Sequence, residues 1–143
     1  MYVPILQTLQ ALLQNKTVVS EIEHGHLTSP KLVNDYCDGE YFKVHPLFSV
    51  HTNGLQIFLY FDELEICNPI GSKVKVHKLG SFYFTLGNLS PKYRSKLTSI
   101  YLLALVKSTF ISTYGMDAVL KPFINDMKKL EQGHQFLIHG TPR

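Results

Sequence analysis

Leu55 to Ile66 reads LQIFLYFDELEI, and the way this run ends decides the fold. From Leu55 to Phe61 only Gln56 is strongly polar, and aromatic and branched side chains fill both alternating positions. A strand buried on both faces has that pattern. Asp62 closes the run, followed by Glu63 and Glu65, so the strand passes from an apolar interior into three carboxylates within four residues. An ionised carboxylate at that point must be solvated, paired or bound to a cation, because an isolated buried charge is very costly.

Working outward, residues 68–80 hold Pro69, Gly71 and Gly80 around Lys73, Lys75 and Lys78, the composition of a basic connection. SFYFTL, Ser81 to Leu86, is the second predicted strand, paired antiparallel with the first. Gly87, Asn88, Ser90 and Pro91 then break the chain, and the apolar run Ile100 to Val106 is the third predicted strand. Asp117 is the expected N-cap of a helix whose apolar face is Val119, Leu120, Phe123, Ile124, Met127 and Leu130, with Gly133 just beyond its end. Upstream, Ile5, Leu6, Leu9, Leu12 and Leu13 predict an amphipathic helix from Pro4 to Asn15. Residues 17–53 read as irregular but compact, since Val44, Leu47, Phe48 and Val50 require burial. The expected class is therefore α/β: three antiparallel strands, an N-terminal helix and a following C-terminal helix. Residues 1–54 form the leading segment and residues 55–143 the core.

At 143 residues, with 45% apolar and 17% charged side chains, the composition is that of one globular domain. Two cysteines, Cys37 and Cys67, exclude a disulfide scaffold and point to thiols in a reducing compartment. No apolar run is long enough to span a bilayer, and MYVPILQTLQ lacks the charged start and cleavage site of a secretory leader. A nuclear or cytoplasmic protein, neither secreted nor membrane-bound, is the expectation.

The net charge of +3 is unevenly spread. Between Ile66 and Met116 there is no acid, while Lys73, Lys75, Lys78, Lys92, Arg94, Lys96 and Lys107 make that segment +7. Such a block attracts nucleic-acid phosphates without reading bases, although a lysine run also serves simply as solvated surface. Mg²⁺ takes one or two carboxylates together with water and phosphates, so acids beside a basic loop suit metal-dependent phosphoryl transfer. An Asp-Glu pair at a strand end equally serves as a turn or an exposed edge. Asp35, Asp38 and Glu40 flank a turn with no basic loop near them and read as solvated surface. His24 and His26, with Gly25 between them, could chelate a metal, but Cys37 and Cys67 lack the CxxC spacing of a zinc site, and no P-loop or nucleophile motif occurs.

The string from Tyr60 to Leu97 resembles transposase-derived proteins related to CACTA-type and Plavaka-like DNA transposons. The matching features are the acidic strand end, Asn68-Pro69-Ile70-Gly71, and the Thr85-Leu86-Gly87-Asn88-Leu89-Ser90-Pro91 run. The resemblance implies a partial RNase H-like fold whose first acid stands on the first, central strand. By this resemblance Asp62 is the first Mg²⁺ ligand and catalytic acid, with Glu65 as the competing assignment because plant members place their aspartate three residues before Asn-Pro. It further implies DNA as the ancestral partner, with Lys73, Lys75 and Lys78 on phosphates and Lys92, Arg94 and Lys96 as a second contact stretch. Two Mg²⁺ ions would serve ancestral strand cleavage and transfer. The second and third acids of the triad belong on a later strand and helix, and the 143 residues do not supply them. The expectation is a catalytically silent piece of a transposase core, completed by self-association or a missing portion, with a co-opted nucleic-acid-binding or protein-interaction module as the alternative.

Overall fold

A computed structural model describes residues 1–25, 33–51, 53–65 and 78–143. The sheet is an antiparallel meander of β1 (Ile57–Glu65), β2 (Lys78–Leu86) and β3 (Tyr101–Lys107), in that spatial order. β1 and β2 pair without interruption from Ile57 with Leu86 to Glu65 with Lys78. β2 and β3 pair from Leu79 with Lys107, and a register shift after Phe82 leaves Leu103 as the extra residue of β3. The architecture is a mixture of helix and antiparallel sheet, as the three apolar runs predicted.

The central strand is β2, not β1. Phe82, Phe84 and Leu86 are fully buried there, whereas every residue of β1 from Leu59 to Glu65 is exposed. Among the described strands the greasier ribbon therefore occupies an edge. Small residues make β2 the better interior strand: a side chain on Gly80 would come within 2.6 Å of the Ile111 methyl and 2.9 Å of the Phe61 ring. At Gly80 the helix and the neighbouring aromatic ring close over bare backbone.

Strand alternation divides the sheet into two faces. One carries Ile57, Leu59, Phe61, Phe82, Phe84, Leu86 and Ala104, with Phe61 and Phe82 rings 4.8 Å apart. α1 (Ile5–Leu12) places Ile5 and Leu9 in the same core, followed by Leu13, the spacing of one helical face. α5 (Ser108–Glu131) contributes Phe123. It is broken at Gly115, with φ +80° and ψ 162°, so a new run begins close to the predicted cap at Asp117. The first half of α5 was not foreseen, nor was α2 (Lys16–His24), whose N-cap Asn15 accepts a hydrogen bond from the Thr17 amide at 2.9 Å.

The outer edge of β3 is covered by the N-terminal residues. The Val3 amide donates to the Leu103 carbonyl at 2.8 Å and the Leu105 amide to the Met1 carbonyl at 3.0 Å, either side of a bridge between Tyr2 and Ala104. On the opposite face Tyr60 stacks on Tyr83 at 5.4 Å. The segment before β1 holds a 3₁₀ turn (Tyr36–Asp38) and α3 (Glu40–Val44). It packs by aromatic contacts, Tyr36 on Phe58 at 5.7 Å and Phe42 on Phe48 at 4.8 Å. Val44 and Val50 are exposed, contrary to the expectation that all four apolar residues of this segment are buried. After α5, β4 (Leu137–Ile138) and β5 (Thr141–Pro142) form a small hairpin, held to α1 by the Gln10 and Gln14 amides donating to the Leu137 carbonyl.

Candidate nucleic-acid and metal site

Asp62 lies on β1 opposite Ser81, exposed, on the face that also carries Tyr60 and Leu64. Glu63 and Glu65 alternate to the other face. Asp62 and Glu65 therefore diverge across the sheet, and a single ion cannot be held by both. The three carboxylates that are adjacent in sequence are two separate sets in space. Glu63 is engaged by the Lys78 ammonium at 3.6 Å, a half-exposed surface pair that joins the ends of β1 and β2. Among the described residues no group of three or more His, Cys, Asp or Glu side chains could hold a metal ion.

The predicted phosphate contacts separate as well. Lys73 and Lys75, with Asn68, Pro69, Gly71 and Cys67, lie outside the described residues. Lys92 and Lys96 are exposed beside α4 (Pro91–Arg94), their ammonium groups 4.7 and 5.2 Å from the centre of the Tyr93 ring. Two cations on one aromatic ring make a compact positive site with a flat apolar surface beside it. Arg94 differs. Its Nη1 and Nη2 donate to Asp35 Oδ2 and Oδ1 at 3.0 and 2.7 Å, and Nη1 also donates to the Gly87 carbonyl at 2.9 Å. The guanidinium sits 5.0 Å from the Phe58 ring. With its donors directed inward, Arg94 fastens the fold and is not presented to a phosphate. Asp35, expected as solvated surface, is its buried partner.

The run from Gly87 to Pro91 has a structural explanation of its own. Asn88 is buried, accepts a hydrogen bond from the Gln56 amide at 2.8 Å and donates to the Gly54 carbonyl at 3.0 Å. The Gly87 amide donates to the Gln56 carbonyl at 2.7 Å. A Cβ on Gly87 would stand 2.7 Å from the Phe58 ring and 2.8 Å from Gln56 Cβ, so the turn after β2 needs glycine to lie against the start of β1. Pro91 opens α4 where its missing N–H is harmless. The Ser90 amide donates to Glu21 of α2 at 2.9 Å. Sequence reasoning noted these residues as motif and punctuation and missed their common role, which is to clamp the beginning of β1 to the end of β2. An asparagine after a glycine at a strand end was the available signal.

A groove of about 660 Å³ opens elsewhere, between the segment before β1 and the end of α5. Its lining is largely apolar with His45, His51 and His134, and it includes none of the predicted site residues. No helix among the described residues is long and apolar enough to cross a membrane. No protein-family model matches the chain, and no curated protein or solved structure is significantly similar to it.

Proposed function

We propose that this chain is a transposase-derived, partial RNase H-like core that no longer performs strand transfer by itself and binds nucleic acid through its basic segment. One observation supports the reading above the others: an antiparallel β1-β2-β3 meander runs into a helix that packs on the sheet, with Asp62 on the first strand. The resemblance in sequence leads to the same order of elements along the chain, although it expects the strand of Asp62 to be central and β2 holds that place among the described strands. In this reading catalysis is lost because a two-metal mechanism needs several carboxylates that converge on one ion pair, and among the described residues no group of three or more His, Cys, Asp or Glu side chains could hold a metal ion; Asp62 and Glu65, the alternatives for the first acid, lie on opposite faces of β1.

In this reading DNA affinity is electrostatic. Lys92 and Lys96, flanking Tyr93, and Lys73 and Lys75 supply the phosphate contacts, while Arg94 serves the fold. Fluorescence anisotropy with a short duplex, across a salt series in Mg²⁺ and in EDTA, tests this. The expected logarithmic salt slope is roughly −2 to −4, and replacing Lys92 and Lys96 by Gln reduces its size by roughly 2. Mg²⁺ does not raise the affinity above its value in EDTA, and Asp62→Asn leaves it unchanged. A Mg²⁺-dependent component removed by Asp62→Asn would establish a retained metal site, and a salt-independent affinity would remove the basic segment from the interaction.

A further inference from the structure

We propose that Gly115 is a hinge at which α5 straightens, and that straightening passes residues 116–143 to a second copy of the chain, giving an exchanged dimer. The inference stands on α5 and its contacts and does not depend on the transposase reading.

α5 holds 24 residues, and Gly115 alone among them leaves helical geometry, at φ +80° and ψ 162°. The break has no covalent cause. Pro122 lies well inside the second run, so no missing amide interrupts the chain at residue 115. Before the break, the Ser112 and Thr113 hydroxyls donate to the Ser108 and Thr109 carbonyls at 3.1 and 2.8 Å, which keeps the helical spacing up to the hinge. Gly115 is exposed, and among the described residues no atom beyond its chain neighbours would stand within 4 Å of a side chain there. Packing does not pin the bend at the hinge itself. Glycine takes the left-handed region and the helical one alike, so the same residues can form one helix about 36 Å long. That helix pairs the amides of residues 116–119 with the carbonyls of residues 112–115, a ladder that a break interrupts.

The bend is held from its two sides. Before it, α5 follows β3 directly and lays the Ile111 methyl against Gly80. After it, Phe123 and Phe136 are buried in the core that Ile5 and Leu9 share. Asp126 accepts the Tyr2 hydroxyl, the Leu137 carbonyl accepts the Gln10 and Gln14 amides, and Arg143 pairs with Glu23. One chain cannot keep both anchorages around a straight α5, so residues 116–143 must leave their own sheet. Their hydrogen-bond and ion-pair partners named here all lie in residues 1–23, which a second copy presents identically. Exchange between two copies therefore restores each of these contacts, and the hinge is the part whose conformation changes. The balance is between the entropy of joining two chains and the helical ladder completed twice, once at each Gly115.

Light scattering on the purified chain, concentrated, held just below its melting temperature and cooled, tests the inference. The expected result is slow conversion to a species of twice the chain mass, which reverts slowly on dilution because residues 116–143 must detach again. Isotope-filtered nuclear magnetic resonance on a dimer of mixed labelled and unlabelled chains should then show the Tyr2 ring of one copy against Asp126 of the other. That contact is read on the natural sequence and relies on no variant folding. Gly115→Ala, whose side chain is strained at φ +80° and suits a helix, should raise the association constant by roughly a hundredfold or more. Met116→Pro should act in the opposite sense and keep the chain monomeric, since proline is tolerated at the first position of a helix and not inside a continuous one. A natural chain that stays monomeric together with a Gly115→Ala chain that is only a less stable monomer would overturn the inference. So would a dimer indifferent to both substitutions, or one in which the Tyr2 and Asp126 contact stays within each copy.

Discussion

Arg94 and Asp35, 59 residues apart in the chain, form a bidentate ion pair with their side chains only 16 and 5% exposed. Asp35 is also the N-cap of the 3₁₀ turn Tyr36–Asp38, where its Oδ1 accepts the Tyr36 amide at 2.8 Å and Asp38 accepts the Asp35 amide at 3.0 Å. One carboxylate therefore orders the segment before β1 and ties it to the turn after β2. Replacing Arg94 removes a bidentate ion pair from a nearly buried carboxylate, so Arg94→Ala should destabilise the fold by about 3 kcal/mol. Arg94→Lys keeps the charge but loses the planar fork and should also destabilise. Urea denaturation measures both, and a loss below about 1 kcal/mol for Arg94→Ala, the range of a surface pair, would contradict the assignment.

Asn88 makes a second prediction about the same region. Asn88→Ala removes the acceptor of the Gln56 amide and the donor to the Gly54 carbonyl. Leaving those buried groups unpaired should cost about 1–3 kcal/mol. The loss should be localised, with faster amide hydrogen exchange at Gln56 while the centre of β2 stays protected. Gly87→Ala should loosen the same junction by a different route, since its methyl group would collide with Phe58. Uniform acceleration of exchange over the whole sheet would show that Asn88 is not a local clamp.

Tyr2 connects the covered edge of β3 to α5. Its hydroxyl donates to the Asp126 carboxylate at 2.9 Å, and Lys129 bonds the other oxygen at 2.9 Å. Burial, reinforced by the hydrogen bond to Asp126, pushes the Tyr2 phenol from 10.0 up to about 12. The fold thus favours the protonated phenol. The associated stability is fully present below pH 10 and is lost as pH rises from 10 toward 12, where the unfolded chain ionises and the folded chain does not. Thermal melts across this range should show a steeper alkaline fall for the native chain than for Tyr2→Phe. Parallel pH profiles for the two would contradict this role.

The three strands were legible because their runs of aromatic and branched residues are unlike anything else in the chain. Their order was not. Leu55 to Phe61 is the more continuous apolar run, yet among the described strands β1 is at the edge and the shorter SFYFTL is central. Hydrophobic patterning counts the side chains a strand carries, whereas centrality depends on whether neighbours can close over it. Gly80 and Ser81 allow that closure, but small residues leave little trace in an apolar pattern. α2 was obscured by the β-branched Thr17, Val18 and Val19, although Asn15 stood ready as its cap. At the candidate site, the sequence located the acids and the bases but not their directions. A period of two separates Asp62 from Glu65, and the pairing of Arg94 spans 59 residues, beyond any local motif.

Whether Asp62 retains a metal site is tested most directly by titrating Mg²⁺ into isotopically labelled protein and following the Asp62 side-chain carboxyl and backbone amide by nuclear magnetic resonance. With its carboxylate exposed on the edge strand and Glu65 on the opposite face, only the weak, non-saturating shifts of surface ion screening should appear, equal in size at Asp62 and Asp117. A saturable Mg²⁺-dependent shift centred on Asp62, shared with a second acid and lost in Asp62→Asn, would contradict the account and restore a functional metal centre.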